Sequence, residues 1–550
     1  VTATNKAEAL HVSEKLTTAA LMAKYLSRAG IRYVFGYPGD PNLEFMEACR
    51  QEEIEFILAR REGTAAFMAD TYGQVTGLPG VCMSTLGPGS TNLVNGVACA
   101  FLDRTPMLAI SGQMNTRLEP IFTHQNVDHN RLFAPITKWT TRMVPEAAGA
   151  IMRKAMRIAV AERPGPVHIT TPINVGAAEA GDSEIRLPPM RTGDQSIQVL
   201  RADGVRSDAA ELLAKAHRPI MVAGMAATRA GASAAVRALA ERGGIPVAVS
   251  VKAKGILAED HPYYAGTVDM ACNALMWKLL GSADLILAVG FDPVELIKAW
   301  TLPVPVVHID AVPNTDQIYP ADIELVGSIN VILQALTEGY RGEPKWTEQA
   351  VRAHRDELVG AYYEGRVAGK LNPSDVVDVA REAFPRETLI TMDVGSHKIL
   401  IGQGWKAYEP GSVLGTNGLS AMGFALPGAM TAKLVQRERP VICFTGDGGF
   451  AMVQSELQLA ASLGLGVVVI VFCDNTLHRI EVKQMRKHYP STGTRFDSSD
   501  LVKIAEAMGC HGERVDSTSA LERALSHATR LDRPLLIEAR IDPAQYEAQF

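Results

Sequence analysis

The chain has 550 residues, of which 47% are hydrophobic and 21% charged, and its 60 Asp and Glu against 54 Lys and Arg leave a net charge of −6. These are values of a folded globular protein, and the mildly acidic balance argues against a nucleic-acid partner or a polybasic membrane role. Seven cysteines with no CxxC pair exclude a disulfide framework and argue against a thiolate zinc site, while the length predicts three or four domains of about 150 residues.

The first residues, VTATNKAEALHVSEKLTT, hold no apolar core of the length a secretion signal needs. The longest apolar stretch, Val467 to Cys473, is far shorter than the roughly 18 residues of a membrane span. A cytosolic, soluble (cytoplasmic) enzyme is therefore expected. Short apolar strands are predicted at Tyr33 to Phe35, Ile54 to Ala59, Val81 to Ser84, Met107 to Ser111 and Val167 to Thr170, with amphipathic segments of helical length between them. This alternation predicts parallel sheets covered on both faces. The polar, Pro-containing stretch Leu187 to Ser196 reads as a linker. A second series comprises Pro219 to Gly224, Ile245 to Ser250, Ala283 to Gly290 and Val306 to Asp310, followed by a charged helical stretch, Lys345 to Leu371. The third opens at Pro373-Ser-Asp, read as a helix N-cap, and continues through Thr388 to Val394, Val441 to Thr445, Val467 to Cys473 and Leu535 to Ala539. The expected fold is α/β, with three doubly wound parallel-sheet domains at residues 1–186, 197–340 and 372–550. The first and third echo each other: Ser84 to Thr91 and Phe444 to Phe450 both join a strand to a helix through glycines. Common ancestry and the generic habit of doubly wound folds explain that echo equally well.

The sharpest chemical signal is Gly446-Asp447-Gly448-Gly449, which follows a predicted strand and opens a helix predicted around Met452 to Ser462. Glycines there let backbone N–H groups close on phosphate oxygens at a helix start. A carboxylate in the same loop does not itself bind phosphate, so Asp447 points to a divalent cation with oxygen ligands, suited to Mg²⁺. A second oxygen ligand is expected at the end of the next strand, where Cys473-Asp474-Asn475-Thr476 places Asp474 27 residues after Asp447. Both loops then lie at the carboxyl edge of one sheet, where such folds bind ligands. The plainer reading makes Asp447 a helix cap and Asp474-Asn475 a turn.

These residues resemble the thiamine diphosphate (ThDP) motif of the acetolactate synthase and pyruvate decarboxylase superfamily. The chain is most similar to the flavin-independent catabolic acetolactate synthases, which also carry Asp at the position of Asp474. The resemblance implies a pyrimidine-binding first domain, a central nucleotide-binding-like domain and a diphosphate-binding third domain. It also implies Mg²⁺ held by Asp447, Asp474 and the backbone carbonyl of Thr476, and a cofactor seat that includes Gly446, Gly448, Gly449 and Leu477. Glu62, in Ile57 to Gly73, matches the carboxylate that relays a proton to the aminopyrimidine. Thr416 to Pro427 resembles the aminopyrimidine-binding stretch, with Met422 as the apolar wedge and the carbonyl of Ser420 receiving the 4′-amino group. Gly395, Ser396 and His397 match diphosphate-side contacts. The first-domain match extends through Phe35-Gly-Tyr-Pro38-Gly39, Leu86 to Thr91, and Thr123-His124-Gln125 followed by Leu132 to Lys138. His124 and Gln125 are expected to face the reacting carbon.

Some residues depart from the synthase pattern. Asp40-Pro41 resembles the pyruvate decarboxylase type, in which that Asp takes part in proton transfer. Ile480 occupies the position of the decarboxylase glutamate, and Glu481 is one residue off, a displacement that swings a side chain to another face. Arg479 or Lys483 could bind an acidic acceptor, or could belong to a solvated helix face. Val289-Gly-Phe-Asp-Pro-Val-Glu295 and Val307-His-Ile-Asp310 are similar to the catabolic synthases, so FAD is expected to be absent. The implied activity is decarboxylation of a 2-oxo acid, most simply pyruvate, and ligation of the remaining fragment to a carbonyl acceptor. Release of an aldehyde, with Asp40 and His124 as proton donors, is the runner-up. A cofactor-binding paralogue without turnover is a third reading. In the family the glutamate and the metal loop meet across two chains, which implies a homodimer at minimum and, by symmetry, a homotetramer. Neither nucleic acid nor membrane is an expected partner.

Overall fold

The computed structural model describes residues 16–181, 185–188, 207–497, 499–528 and 531–549, so most of the expected linker, from residue 189 on, lies outside the described residues. The chain forms two compact units that divide near residue 194. The first unit holds one six-stranded sheet: β1 Tyr33–Tyr37, β2 Glu55–Leu58, β3 Gly80–Ser84, β4 Met107–Gln113, β5 Trp139–Arg142 and β6 Pro166–Pro172. Its order is β2-β1-β3-β4-β6-β5, and all pairings are parallel.

The second unit holds two more parallel sheets of six strands. The first contains β7 Pro219–Ala223, β8 Val247–Val249, β9 Tyr264–Thr267, β10 Leu285–Val289, β11 Val306–Asp310 and β12 Ile323–Val326, in the order β12-β11-β10-β7-β8-β9. The second contains β13 Leu389–Met392, β14 Val413–Gly415, β15 Val441–Gly446, β16 Val468–Cys473, β17 His511–Val515 and β18 Leu535–Arg540, in the order β14-β13-β15-β16-β18-β17. Taken in chain order, the β1–β6 and β13–β18 sheets have the same strand order, which gives the sequence echo a topological basis. The β7–β12 sheet has the order of dinucleotide-binding folds, reversing between β7 and β10.

The central strands are covered on both faces: every residue of β4, β6, β7, β10 and β16 is buried, and β7, β10 and β16 are continuous apolar runs. Five strands that have no such run (β5, β9, β12, β14 and β17) were not predicted, and each is a sheet edge. The helix opening the third series begins at Pro373, but its cap is Asn372, whose backbone N–H donates to Asp375 Oδ2 at 2.8 Å; this corrects the cap assigned to Pro373-Ser-Asp. No described helix is long and apolar enough to cross a membrane.

The two sheets of the second unit share apolar core: Val251, Met270 and Ala271 pack in one cluster with Ile390, Trp405 and Phe444. A buried ion pair lies beside this contact. Lys254 Nζ is 2.6 Å from Glu259 Oε1, with side chains 0% and 4% exposed, and the Glu259 N–H donates to the Ala407 carbonyl at 3.1 Å. Burial pushes the Glu259 carboxyl above its ordinary range against the pull of Lys254. Lys254→Met is expected to destabilise the fold by about 3–5 kcal/mol by stranding that carboxylate, whereas Lys254→Met/Glu259→Leu recovers most of the loss. Denaturant unfolding of both variants checks this, and a double variant no more stable than the single one would count against it.

Candidate active site

In the second unit, β15 and β16 pair in parallel with Gly446 opposite Phe472, so the loops that follow them emerge side by side. Asp447, 6% exposed, organises both. Its Oδ1 accepts from the Gly448 N–H at 2.8 Å, and its Oδ2 accepts from the Asp474 and Asn475 N–H groups at 3.1 and 2.8 Å. Asp474 Oδ1 in turn accepts from the Thr476 N–H and Oγ1 at 3.0 and 3.1 Å. The helix predicted at Met452 to Ser462 is broken in two: one helix spans Asp447–Ala451, beginning at the motif itself, and another Glu456–Ser462.

These loops border a cleft of about 680 Å³, open mouth included. Its walls bring together Gly395, Ser396, His397, Met422, Gly446, Asp447, Gly448, Gly449, Asp474, Thr476 and Leu477, all of them expected from the sequence. Two observations fit this cleft to a diphosphate and a cation. First, His397 is buried and stacked on Phe472 at 5.3 Å between ring centres, and its Nε2 has no hydrogen-bond partner. Burial, with neighbouring Lys398, pushes this ring down to about 3, so it is neutral. Second, burial raises the carboxyls of Asp447 and Asp474, Asp474 to about 7 with the charge of Asp447 adding to the effect. Two hard carboxylates raised by burial are a donor set that a divalent cation relieves. Ser420, expected in the same seat, is exposed with φ +55°, and its Oγ donates to the Asn417 carbonyl at 2.8 Å.

Asp393 is a residue that motif reading passed over. It is fully buried at the end of β13, and its carboxylate accepts from the Gly423 N–H at 2.8 Å and from Thr445 Oγ1 at 3.2 Å. A Cβ on Gly449 would stand 2.5 Å from Asp393 Oδ2, so this glycine is required by close approach. Asp393 thus ties the residue after Met422 to the residue before Gly446. The signal available was an aspartate at the end of a predicted strand, just before the expected contacts Gly395 to His397. Burial pushes its carboxyl up to about 6. The native state therefore holds this proton more tightly than the unfolded chain, and its contribution to stability is present below pH about 4 and lost as pH rises through about 6. The stability difference between wild type and Asp393→Asn is expected to shift against the wild type by up to about 3 kcal/mol across that interval. Unfolding curves at pH 4.5 and 7 measure it.

The residues after Thr476 separate the alternatives left open by the sequence. Arg479 and Ile480 line the cleft, whereas Lys483 is exposed and absent from its walls. Glu481 turns away: its Oε1 accepts from Ser491 Oγ at 2.5 Å and Arg495 Nε at 2.7 Å, and these partners hold its carboxyl below the usual range. His478 and Tyr546, not expected from the sequence, also form the wall, with His478 Nδ1 3.3 Å from Ser396 Oγ.

In the first unit, Glu62 is buried at the head of the helix Glu62–Thr76, and its Oε2 accepts from Asn92 Nδ2 at 3.1 Å. Pro38 and Gly39 are half-buried before a short 3₁₀ turn, Asp40–Asn42, and Asp40 is exposed. His124 and Gln125 are exposed on a turn where Gln125 has φ +56°. Gln125, Ser420 and Asn475 (φ +58°) are non-glycine residues in left-handed backbone, which concentrates at functional sites. Behind the His124 turn runs a buried network invisible to motif reading. The Gly87 N–H points to His129 Nε2 at 3.4 Å, His129 Nδ1 lies 3.0 Å from Ser111 Oγ, and Ser111 lies 2.8 Å from His168 Nε2. Burial lowers both imidazoles, His129 to about 4.

Comparison with known proteins identifies the domains that carry most of these residues. Residues 16–132 match the model of the thiamine pyrophosphate enzyme N-terminal TPP binding domain, residues 206–336 the central domain, and residues 393–539 the C-terminal TPP binding domain. The chain is 31% identical to a probable acetolactate synthase large subunit of Methanocaldococcus jannaschii, over 96% of this chain and 92% of the relative. It is 30% identical to a catabolic acetolactate synthase of Raoultella terrigena, over 95% of each, and 30% identical to a probable 2-ketoarginine decarboxylase of Pseudomonas aeruginosa, over 96% and 94%.

Proposed function

This chain belongs to the thiamine pyrophosphate enzymes of the acetolactate synthase-like type, and from that premise we propose that it decarboxylates pyruvate or a related 2-oxo acid and ligates the fragment to a carbonyl acceptor. The observation that carries the reading is the pair of adjoining loops in which Asp447 holds the Asp474-Asn475 turn beside a glycine-walled cleft. Bound there, thiamine diphosphate supplies the electron sink that lets CO₂ leave a 2-oxo acid.

The chain's own residues do the rest. Asp447, Asp474 and the Thr476 carbonyl hold Mg²⁺, and Gly446, Gly448, Gly449, Gly395, Ser396 and His397 receive the diphosphate. Met422, Leu477 and the Ser420 carbonyl seat the other rings, with Pro38 and Gly39 contributing from the first domain. Glu62 holds and passes a proton at the aminopyrimidine, a role that a buried carboxyl beside one amide partner suits. His124 and Gln125 orient substrate oxygens, and Arg479 offers a cation to a substrate carboxylate from the cleft wall. We read residues 1–186, 197–340 and 372–550 as the three domains, the active unit as a homodimer or homotetramer in the cytoplasm, and the central sheet as free of flavin. The last point is supported by the buried Glu295 at that sheet's switch point.

A second reading, release of an aldehyde with Asp40 and His124 as proton donors, is favoured by Asp40 and by the decarboxylase among the relatives. Purified protein supplied with thiamine diphosphate, Mg²⁺ and pyruvate is expected to form acetolactate, measured as acetoin after acid treatment. Acetaldehyde instead would establish the second reading, and neither product would remove pyruvate as donor.

A further inference from the structure

The strand order of the β7–β12 sheet reverses between β7 and β10, and in such folds the crevice beyond the carboxyl ends of those strands receives a ligand. Here the chain itself fills that place. The 3₁₀ turn Pro293–Glu295 follows β10, and Glu295 is 2% exposed. Its carboxylate accepts from the Met225 N–H at 3.0 Å, from the Asp292 N–H at 3.0 Å and from Ser250 Oγ. A Cβ on Gly224 would lie 2.4 Å from Glu295 Oε2, so the approach of carboxylate to backbone is close. A carboxyl group of the chain thus occupies donors from three segments of the sheet edge: the turn after β7, Ser250 after β8, and the turn after β10.

The same residue reaches into the neighbouring sheet of its unit. The Glu295 carbonyl accepts from Asn417 Nδ2 at 2.8 Å. Asn417 Oδ1 accepts from Lys398 Nζ at 3.0 Å, and Lys398 Nζ also donates to the Thr416 carbonyl at 2.7 Å. Asn417 and Lys398 are 5% and 3% exposed. Asn417 lies between β14 and Met422, and Lys398 lies in the first turn of the helix Ser396–Gly404, whose first two residues line the cleft. Hydrogen bonds buried this deeply are costly to leave unmade, so the turn bearing Glu295 constrains the 416–422 segment.

We propose that Glu295 is a positioning residue: its carboxylate locks the Asp292–Glu295 turn onto the central sheet, and its carbonyl, through Asn417 and Lys398, sets the 416–422 segment in the conformation that receives a cofactor ring. The identity of that ring rests on the function proposed above; the mechanical link does not.

The test uses the full chain and the variants Glu295→Gln and Asn417→Ala. Three quantities are measured: the unfolding midpoint, hydrogen–deuterium exchange of peptides covering 413–424 without cofactor, and thiamine diphosphate affinity by calorimetry with Mg²⁺. Asn417→Ala, which removes the bonds to the Glu295 carbonyl and from Lys398, is expected to speed exchange in 413–424 and weaken affinity about tenfold, while exchange away from 413–424 and these two partners stays unchanged. Glu295→Gln, remote in sequence from 413–424, is expected to speed exchange in the same peptides. The proposal is overturned if Glu295→Gln leaves 413–424 at wild-type rates, or if exchange in either variant rises uniformly along the chain. Should Glu295→Gln fail to fold, Asn417→Ala decides by the same two readouts. Wild-type protein that binds no thiamine diphosphate would defeat the functional reading and leave the exchange experiment to judge the link.

Discussion

Glu62→Gln is expected to lower kcat by about 10²–10⁴-fold, the usual worth of a positioned proton-transfer group, without unfolding the protein. The fold survives because the hydrogen bond that Glu62 makes, from Asn92 Nδ2 at 3.1 Å, needs only an oxygen acceptor, and the glutamine carbonyl supplies one. Volume and position at the head of the Glu62–Thr76 helix are also kept. What the substitution removes is the capacity to hold and release a proton. The loss should therefore appear in kcat, and in slower solvent deuterium exchange at C2 of bound thiamine diphosphate, with calorimetric affinity changed far less. Full exchange at C2 in this variant would mean that the relay carboxyl is another residue.

Asp447→Asn is expected to abolish Mg²⁺-dependent binding of thiamine diphosphate, with activity reduced by well over about 100-fold, the upper range for loss of a residue that only supports a metal ligand. Two effects add here. The substitution removes a charged oxygen from the proposed metal site, and it sets an amide NH₂ against backbone donors. Oδ2 of Asp447 accepts from both the Asp474 and Asn475 N–H groups, so an NH₂ there leaves two donors facing a third. Each unmet buried donor costs about 1–3 kcal/mol, so the loop should shift and the unfolding free energy should fall visibly. Asp474→Asn is the informative contrast: its oxygen still accepts from Thr476, as Oδ1 of Asp474 does at 3.0 Å, and an amide oxygen remains a hard donor for Mg²⁺. Calorimetry with and without Mg²⁺ should show binding lost in Asp447→Asn and retained in Asp474→Asn. Mg²⁺-dependent binding retained in both variants would show that Asp447 is a helix cap and turn-holder without a metal.

Much of this site was legible in the linear order of residues. A run of five or six buried, mostly apolar residues leading into Gly-Asp-Gly-Gly or Cys-Asp-Asn-Thr identifies β15, β16 and their carboxyl ends, and one helix plus one strand of spacing makes the two ends neighbours. Five of the edge strands escaped because they are only three to five residues long and carry no continuous apolar run. In β17, His511-Gly-Glu-Arg-Val515, only Val515 is buried, and in β5 no residue is fully buried. The choice between Arg479 and Lys483 was not legible either: four residues of helix put both near one face, but only the first lines the cleft.

Strand periodicity, the glycine-carboxylate motif and its distance to Asp474 are properties of neighbouring residues along the chain, and the sequence by itself determined the three parallel sheets and the loops that matter. Tertiary structure alone decided the partnerships of Asp393, Glu295 and His129. An isolated Asp, Glu or His carries no periodic signal, and its role depends on which distant donors are brought to it when water is removed. Asp393 meets Gly423 and Thr445, Glu295 meets Met225 and Ser250, and His129 meets Gly87 and Ser111. Each of these contacts spans 18 residues or more of chain and exists only after the elements between them have packed, which is why local pattern could name the loops but not what holds them in place.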